Sequence, residues 1–444
     1  MKNYYFLLML ALSLSSSQAQ NVTIPDPAFK AKLLAYSPAI DTNGDGEIQV
    51  SEAAAVTTLS FGQSNLGNVI GIEAFTNLEN LTFGAYCSIT AAVDLSGMSS
   101  IKSIGFHKCS MPSINLSGLT GLENFSMGYV NISFTNLDTS ANLKYISFYN
   151  SNIASIDLTP FTNLLEFSAD NVAISSINTA GLANVTSFKL KTGFDGGSVT
   201  GLDISAMTNL KTLFLAGCHL TQINFQNNPQ LEEITTWDNN FSAFDVSMLP
   251  NLKKLFCTSS NLTSLNVSNN PNLENLVCAS NQLTSIDLTN LHKLRIADFS
   301  DNLFTSLDLS GLTVVSSESP SYSVTGNPNL VSINLKNGKK DYVALDSSCP
   351  NLVYLCLDDE DVNDQTYLVQ QAGLQNIQIN SYCSFTPGGN YNTISGTLTF
   401  DGDNNGCDAN DFRFADVKLA LSATGQNGST YSNADGNYSF YTQA

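Results

Sequence analysis

The sequence predicts a solenoid: a coil of short, similar turns stacked on one shared apolar core. Three observations predict it. Apolar residues that open a unit fall at 78, 101, 122, 143, 164, 185, 210, 231, 252, 273 and 294, and eight of the ten intervals are 21 residues, the others being 23 and 25. Each unit then repeats one apolar spacing twice, as in Leu143, Ile146 and Phe148 followed by Ile153, Ile156 and Leu158. Finally, 21 residues leave little room for an α-helix on the second side, and closing segments such as Leu283, Ile286 and Leu288 alternate apolar with polar residues, which suggests a short second strand. No single turn can bury its own apolar side, so the turns must stack. Beyond Leu294 the pattern weakens, with possible turns near Val315, Leu330 and Leu352.

The period and the Leu-x-x-Leu-x-Leu core resemble the leucine-rich repeat. Asn239, Asn281 and Asn302 stand where that repeat uses an Asn side chain to close a turn on backbone groups. Other units put Ser or Cys there. Over residues 58–380 the chain is similar to bacterial surface proteins of the internalin type, and most of all to those with 21-residue repeats and Cys in the core strand, here Cys257 and Cys278. The resemblance implies a curved solenoid with a parallel sheet on its concave face, binding or adhering to a protein or glycan. It implies no particular ligand residues. It also favours a Cys356–Cys383 disulfide across the C-terminal cap, whereas Cys257 and Cys278, both pointing inward on adjacent turns, are expected as thiols. Nine Cys in all leave at least one outside intrachain pairs.

The N-terminus reads as a secretory signal over residues 1–19. Lys2 gives the positive start, residues 4–14 an apolar run, and Ser17 and Ala19 small residues before cleavage. The run is shorter than the roughly 20 residues that span a bilayer. Export to the cell surface or medium follows. The net charge of -20 argues against nucleic acid, which repels an acidic chain. It suits a soluble secreted protein, or one that handles Ca²⁺. A monomer is expected.

Residues 20–57 read as an N-terminal cap. Asp26 and Pro27 look like an N-cap and first-turn pair for a helix through Phe29, Leu33 and Leu34. Residues 41–52 match the EF-hand loop pattern at every specified position. Side-chain oxygens of Asp41, Asn43 and Asp45, the Glu47 carbonyl and a bidentate Glu52 would surround one structural Ca²⁺, with Gln49 at the water-mediated position and Gly46 at the bend. Repeats occupy residues 58–348 and a C-terminal cap 349–384, with a last strand near Leu352 and an amphipathic helix over residues 361–373. The acidic run 358–361 is expected to start that helix, where negative charge favours the dipole. A linker, 385–393, leads to residues 394–444, which resemble the start of an immunoglobulin-like or prealbumin-like β-sandwich module. Asp401, Asp403, Asn405 and Asp408 there form a second acidic loop that lacks the EF-hand Glu. The layout as a whole is similar to secreted proteins of Bacteroidetes-type bacteria.

No catalytic constellation is evident. His107, His219 and His292 fall in different repeats without a nucleophile or carboxylate at a recognisable spacing, and Cys218 beside His219 reads as a repeat edge. The expectation is a binding protein and not an enzyme. The alternatives are a targeting region of a larger secreted enzyme, or a spacer. Strand side chains alternate, so offsets 2, 4 and 6 of each opening strand must face outward. That puts Phe214, Trp237 and Phe256 in one aromatic patch, with Tyr145 and Tyr149 on an earlier turn.

Overall fold

The computed structural model describes residues 20–443 except 131–132, 136, 194–197, 200, 313–320, 375–376, 382–390, 403–405, 407–410, 416, 424–425 and 434. The proposed signal and its cleavage site therefore lie outside the described residues, as do Val315 and Cys383. The chain falls into two compact units, one ending at residue 174 and the other starting at 175.

In the first unit six parallel strands stack in chain order: Thr58–Phe61, Asn80–Phe83, Ser103–His107, Asn124–Gly128, Tyr145–Tyr149 and Glu166–Val172. In the second unit eight do so, from Ser187–Thr192 through Thr212–Ala216, Glu233–Trp237, Lys254–Thr258, Asn275–Val277, Ile296–Asp298 and Ser321–Ser323 to Tyr342–Ala344. Register follows the repeat, so like pairs with like: Ile146 lies between Phe125 and Phe167. The expected second strands exist too, in short parallel pairs such as Ala243–Asp245 with Ser264–Asn266.

The core is the inside of the coil. All eleven opening residues, from Leu78 to Leu294, are fully buried, each side chain contributing roughly 1.5–3 kcal/mol over exposure. In the first unit the core strand carries a run of rings, with Phe29 against Phe61, Phe61 against Phe83 and Phe83 against Phe106 at 5.5–5.8 Å between centroids. In the second unit Leu215, Thr236, Cys257, Cys278 and Phe299 take the corresponding positions, all buried.

Many of the polar groups inside the coil are satisfied by the neighbouring turn. Asn281 accepts from the Ser260 and Leu262 amides at 3.1 and 3.0 Å and donates to the Cys257, Cys278 and Ala279 carbonyls. Asn239 and Asn302 do the same work, and so does Asn327. A second, exposed Asn series stands one residue before the opening position. Asn142, Asn251 and Asn272 each donate to a carbonyl 22 residues earlier. On the other side Asp94, Asp203, Asp245 and Asp287 each accept from the residue two along, and these hydrogen bonds hold their carboxyls below the usual range.

The ends differ from the middle. Helix α1 is Pro27–Leu34, capped by Asp26, whose Oδ1 accepts from the Phe29 amide at 2.7 Å while Oδ2 accepts from Gly67 at 2.7 Å. One carboxylate thus starts the helix and ties it to the first turn. Helix α2 is Val50–Ala55 and helix α3 is Val362–Gln371, with Asp361 at its N-cap position. A strand is present near Leu352, at Tyr354–Cys356. Leu330 and Leu352 precede Ser332–Asn334 and Tyr354–Cys356, which pair with each other on the second side and with Ser306–Asp308 and Gln378–Asn380. The apolar spacing is identical in both halves of a turn, so it fixes the coil but not the phase. In the C-terminal segment Tyr391–Thr397 pairs antiparallel with Asn437–Gln443, and Lys418–Ala423 with Gln426–Tyr431.

Cys87, Cys109, Cys218, Cys257, Cys278 and Cys349 are buried free thiols, and burial pushes the Cys257 thiol up to about 12. Cys356 is disulfide-bonded. Among these seven, non-reducing peptide mapping should find only Cys356 bridged, and thiol reagents should reach the other six only after denaturation. Asn281→Ala should cost about 2–3 kcal/mol in urea unfolding, because it strands buried amides and carbonyls. Asn272→Ala, which loses one exposed bond, should cost less than about 1 kcal/mol. Equal costs would refute the distinction between the two series.

Candidate functional site

The outward face of the long sheet reads in rows. In the first unit the central row is Ser60, Thr82, Gly105, Ser126, Ser147 and Ser168. All six side chains in that row are small. Tyr145 and Tyr149 flank Ser147 on their strand and are 40% and 43% exposed. An aromatic cluster stands beside the row at the strand ends. Tyr129 lies edge-on to Tyr149 at 5.1 Å and to His107 at 5.7 Å between centroids, and the Lys108 ammonium sits 4.9 Å from the Tyr129 ring centre. The hydrogen bond with Tyr129 pushes the Tyr149 hydroxyl above its ordinary pKa. Tyr86 is nearby, its amide donating to the Lys108 carbonyl, and its side chain is 68% exposed.

Tyr86, Lys108 and Tyr129 were missed by reading alternate strand positions. They stand just past the strand, where most turns take a left-handed residue: φ is 63° at Tyr86, 47° at Lys108 and 57° at Tyr129. Other turns use Gln63, Asn150, Asn171, Gly217, Asp238, Ser259, Ser280 or Asp301 there. Gly, Asn and Asp tolerate that conformation, and a bulky Tyr does not. The signal available in the sequence was a large aromatic at a turn position where other repeats carry Asn, Asp, Gly, Ser, Gln or Lys.

In the second unit Phe214 and Phe256 share one row with Thr235 between them, and Trp237 lies in the next row beside Ala216 and Thr258. All three aromatics are half-buried and face outward. They are spaced by small residues and do not form one unbroken ring surface. Lys189 lies 5.2 Å from the Phe214 ring centre and Lys191 5.7 Å from that of Trp237. His219 and His292 stand apart, His292 held by the Gly311 carbonyl at 2.9 Å.

The N-terminal loop turns on left-handed Gly44 and Gly46, whose amides donate to Asp41 at 2.7 and 3.0 Å. Asn43 Oδ1 accepts from the Asp45 amide, and Asp45 from the Glu47 amide. The side-chain amides of Asn43 and Gln49 point at the Asp45 carboxylate. Those bonds, with the Glu47 amide foremost, hold the Asp45 carboxyl low. The oxygens of Asp41, Asn43 and Asp45 suit a hard cation. The Glu47 side chain is elsewhere, paired with Lys30. Glu52 is the helix α2 capping-box residue: its Oε2 accepts from the Gln49 amide, and its Oε1 from the Thr42 amide and hydroxyl. Bidentate ligation of a cation would require it to yield at least one of the bonds to Thr42, whereas Oε2 keeps a free lone pair. No group of three or more His, Cys, Asp or Glu arranged to hold a metal is found among the described residues. In the C-terminal segment Asp401 accepts from the Gly406 amide at 2.9 Å, while Asp403, Asn405 and Asp408 lie outside the described residues.

Among the described residues no helix is long and apolar enough to cross a membrane. No family model and no curated protein matches the chain. Among solved structures it is similar to the functional domain of InlJ from Listeria monocytogenes, which includes a cysteine ladder, at 19% identity over 97% of this chain and 94% of that one, with a TM-score of 0.55. It is also similar to the internalin InlF from Listeria monocytogenes strain 4b F2365, at 16% identity over 82% of this chain and 98% of that one, with a TM-score of 0.49. Likeness at this identity speaks to the fold alone, and the fold is a parallel-sheet β-solenoid of the leucine-rich-repeat kind.

Proposed function

We propose that this chain is an exported, non-catalytic binding protein whose outward sheet face takes a protein or glycan ligand. One observation carries the reading: the exposed cluster of His107, Tyr129 and Tyr149, with Tyr86 and Lys108 beside it, places two tyrosines on left-handed backbone. That conformation disfavours a bulky side chain by roughly 1–2 kcal/mol. Nothing in the packing of the turns requires the rings, since Asn or Gly serves the same position elsewhere. Aromatics exposed together at such a cost point to a surface kept for contact. The Ser and Thr hydroxyls of the central row would supply hydrogen bonds to a peptide or sugar laid along it. Phe214, Trp237 and Phe256 offer a further stretch of the same kind of face.

The test uses an array of purified extracellular proteins and glycans probed with the mature chain. Tyr129→Asn should leave unfolding stability unchanged or raise it by up to about 1 kcal/mol, while weakening every hit at least tenfold. Trp237→Ala combined with Phe256→Ala tests the second stretch in the same way. Loss of more than about 1 kcal/mol from Tyr129→Asn, or undiminished binding by it, would remove the case for the cluster.

We further propose that the N-terminal loop binds one Ca²⁺ through Asp41, Asn43, Asp45 and the Glu47 carbonyl, with Glu52 completing the set. The cation would neutralise the loop's charge and hold the cap on the first turn. Calorimetric titration with CaCl₂ should show a site that Asp41→Ala and Asp45→Ala both abolish. Glu52→Ala is a poorer probe, since it also removes the capping box of helix α2. Binding that survives both loop substitutions would end this reading.

A further inference from the structure

The last turns of the coil in the second unit hold a buried polar cluster that the binding face does not use. Lys336, Asn337, Asp341, Asp358, Asp361 and Gln365 are each at most 4% exposed. Asp358 accepts from the Asn337 and Gly338 amides at 3.0 and 2.8 Å, which leaves it well bonded as a carboxylate. Asp341 and Asp361 are not. Asp341 receives one bond, from the Asn337 side-chain amide at 2.8 Å, and Asp361 one long bond, from the Asp341 amide at 3.4 Å. The other oxygen of each is buried without a partner, as is the Tyr322 hydroxyl. Beside them Gln365 of helix α3 bonds the amide and carbonyl of Val343, at 3.3 and 2.9 Å, and so seats the helix on the strand Tyr342–Ala344.

We propose that Asp341 and Asp361 form a proton-held latch: helix α3 stays seated on the end of the coil while these two carboxyls are protonated, and loosens when they ionise. A buried ionised carboxylate without full pairing is strongly unfavourable. The surrounding charges do not relieve it. Lys336 is the buried cation of the cluster, and its ammonium is bound to the Ser381 carbonyl at 2.5 Å. Lys340 is exposed and paired with Asp364 at 3.1 Å. Asp358, Asp359 and Glu360 add negative charge. A protonated carboxyl, by contrast, gains a donor and can satisfy an orphaned oxygen.

Burial, reinforced by the neighbouring carboxylates, pushes Asp341 up to about 7 and Asp361 up to about 6, and Asp358 is raised too. The folded values lie above the unfolded ones. The stabilisation is therefore complete below the ordinary carboxylate range and is lost as pH rises through about 6 and 7. While only the unfolded form is ionised, each such group makes opening about tenfold easier per pH unit.

The experiment follows protease cleavage within residues 362–371 of the full mature chain from pH 5 to pH 8, corrected for the protease's own pH profile on an unfolded control. Cleavage should rise at least tenfold across that range, and Asp341→Asn and Asp361→Asn should each flatten the rise. Should either variant fail to fold, the protection factor of the Val343 amide in the unaltered chain, which divides out the intrinsic rise of exchange with pH, reads the same opening. A flat profile in the unaltered chain would overturn the latch. So would a rise that CaCl₂ suppresses and chelation restores, since the cluster would then be a cation site.

Discussion

Each turn of this coil can satisfy its buried groups only through the next one. The apolar inner side of a 21-residue turn has no partner within the turn, and neither do the backbone amides and carbonyls at its bends. Stacking answers the first need. Side chains such as Asn281 answer the second, spanning from one turn's carbonyls to the previous turn's amides. The buried Asn is thus as much a part of the core as the leucines beside it. Removing it exposes nothing to water, and leaves polar groups on two turns without partners.

The same dependence explains where the anomalies lie. Along most of each unit, local preference and packing agree from turn to turn. Two of the places where they disagree are the strand ends, where tyrosines occupy a backbone conformation suited to Asn or Gly, and the end of the coil, where carboxylates are buried without full pairing. Departures from consistency of this kind tend to mark function. The coil provides a stiff frame on which a few unfavourable arrangements can be held, because each is surrounded by many favourable ones.

Much of this was legible in the sequence. The opening residues, the Asn at 239, 281 and 302, and the Asp26–Pro27 helix start depend on residue type and spacing, which the sequence carries directly. The phase of the last turns was not legible, because Leu330, Ile333 and Leu335 have the spacing of either half of a turn. The aromatic edge was half legible. Strand alternation finds Tyr145 and Tyr149 but says nothing about Tyr129, which lies where the strand has ended and φ has changed sign. Composition also needs a second reading. Part of the acidity comes from carboxylates such as Asp203 and Asp245, which fix turns through short-range hydrogen bonds. The run at 358–361 was expected to start a helix, and Asp361 does stand at that start; composition did not show that it is buried.

The chain-order stacking of the strands has a mechanical consequence. A pull that peels one turn away breaks only that turn's contacts with its neighbour, because no strand of the long sheet within a unit skips to a more distant turn. Each 21-residue turn released adds about 70 Å of extended chain. A tether made this way lengthens in steps under load and dissipates work at each step, so a bound surface drifting away in flow would meet a series of small yields before a single rupture.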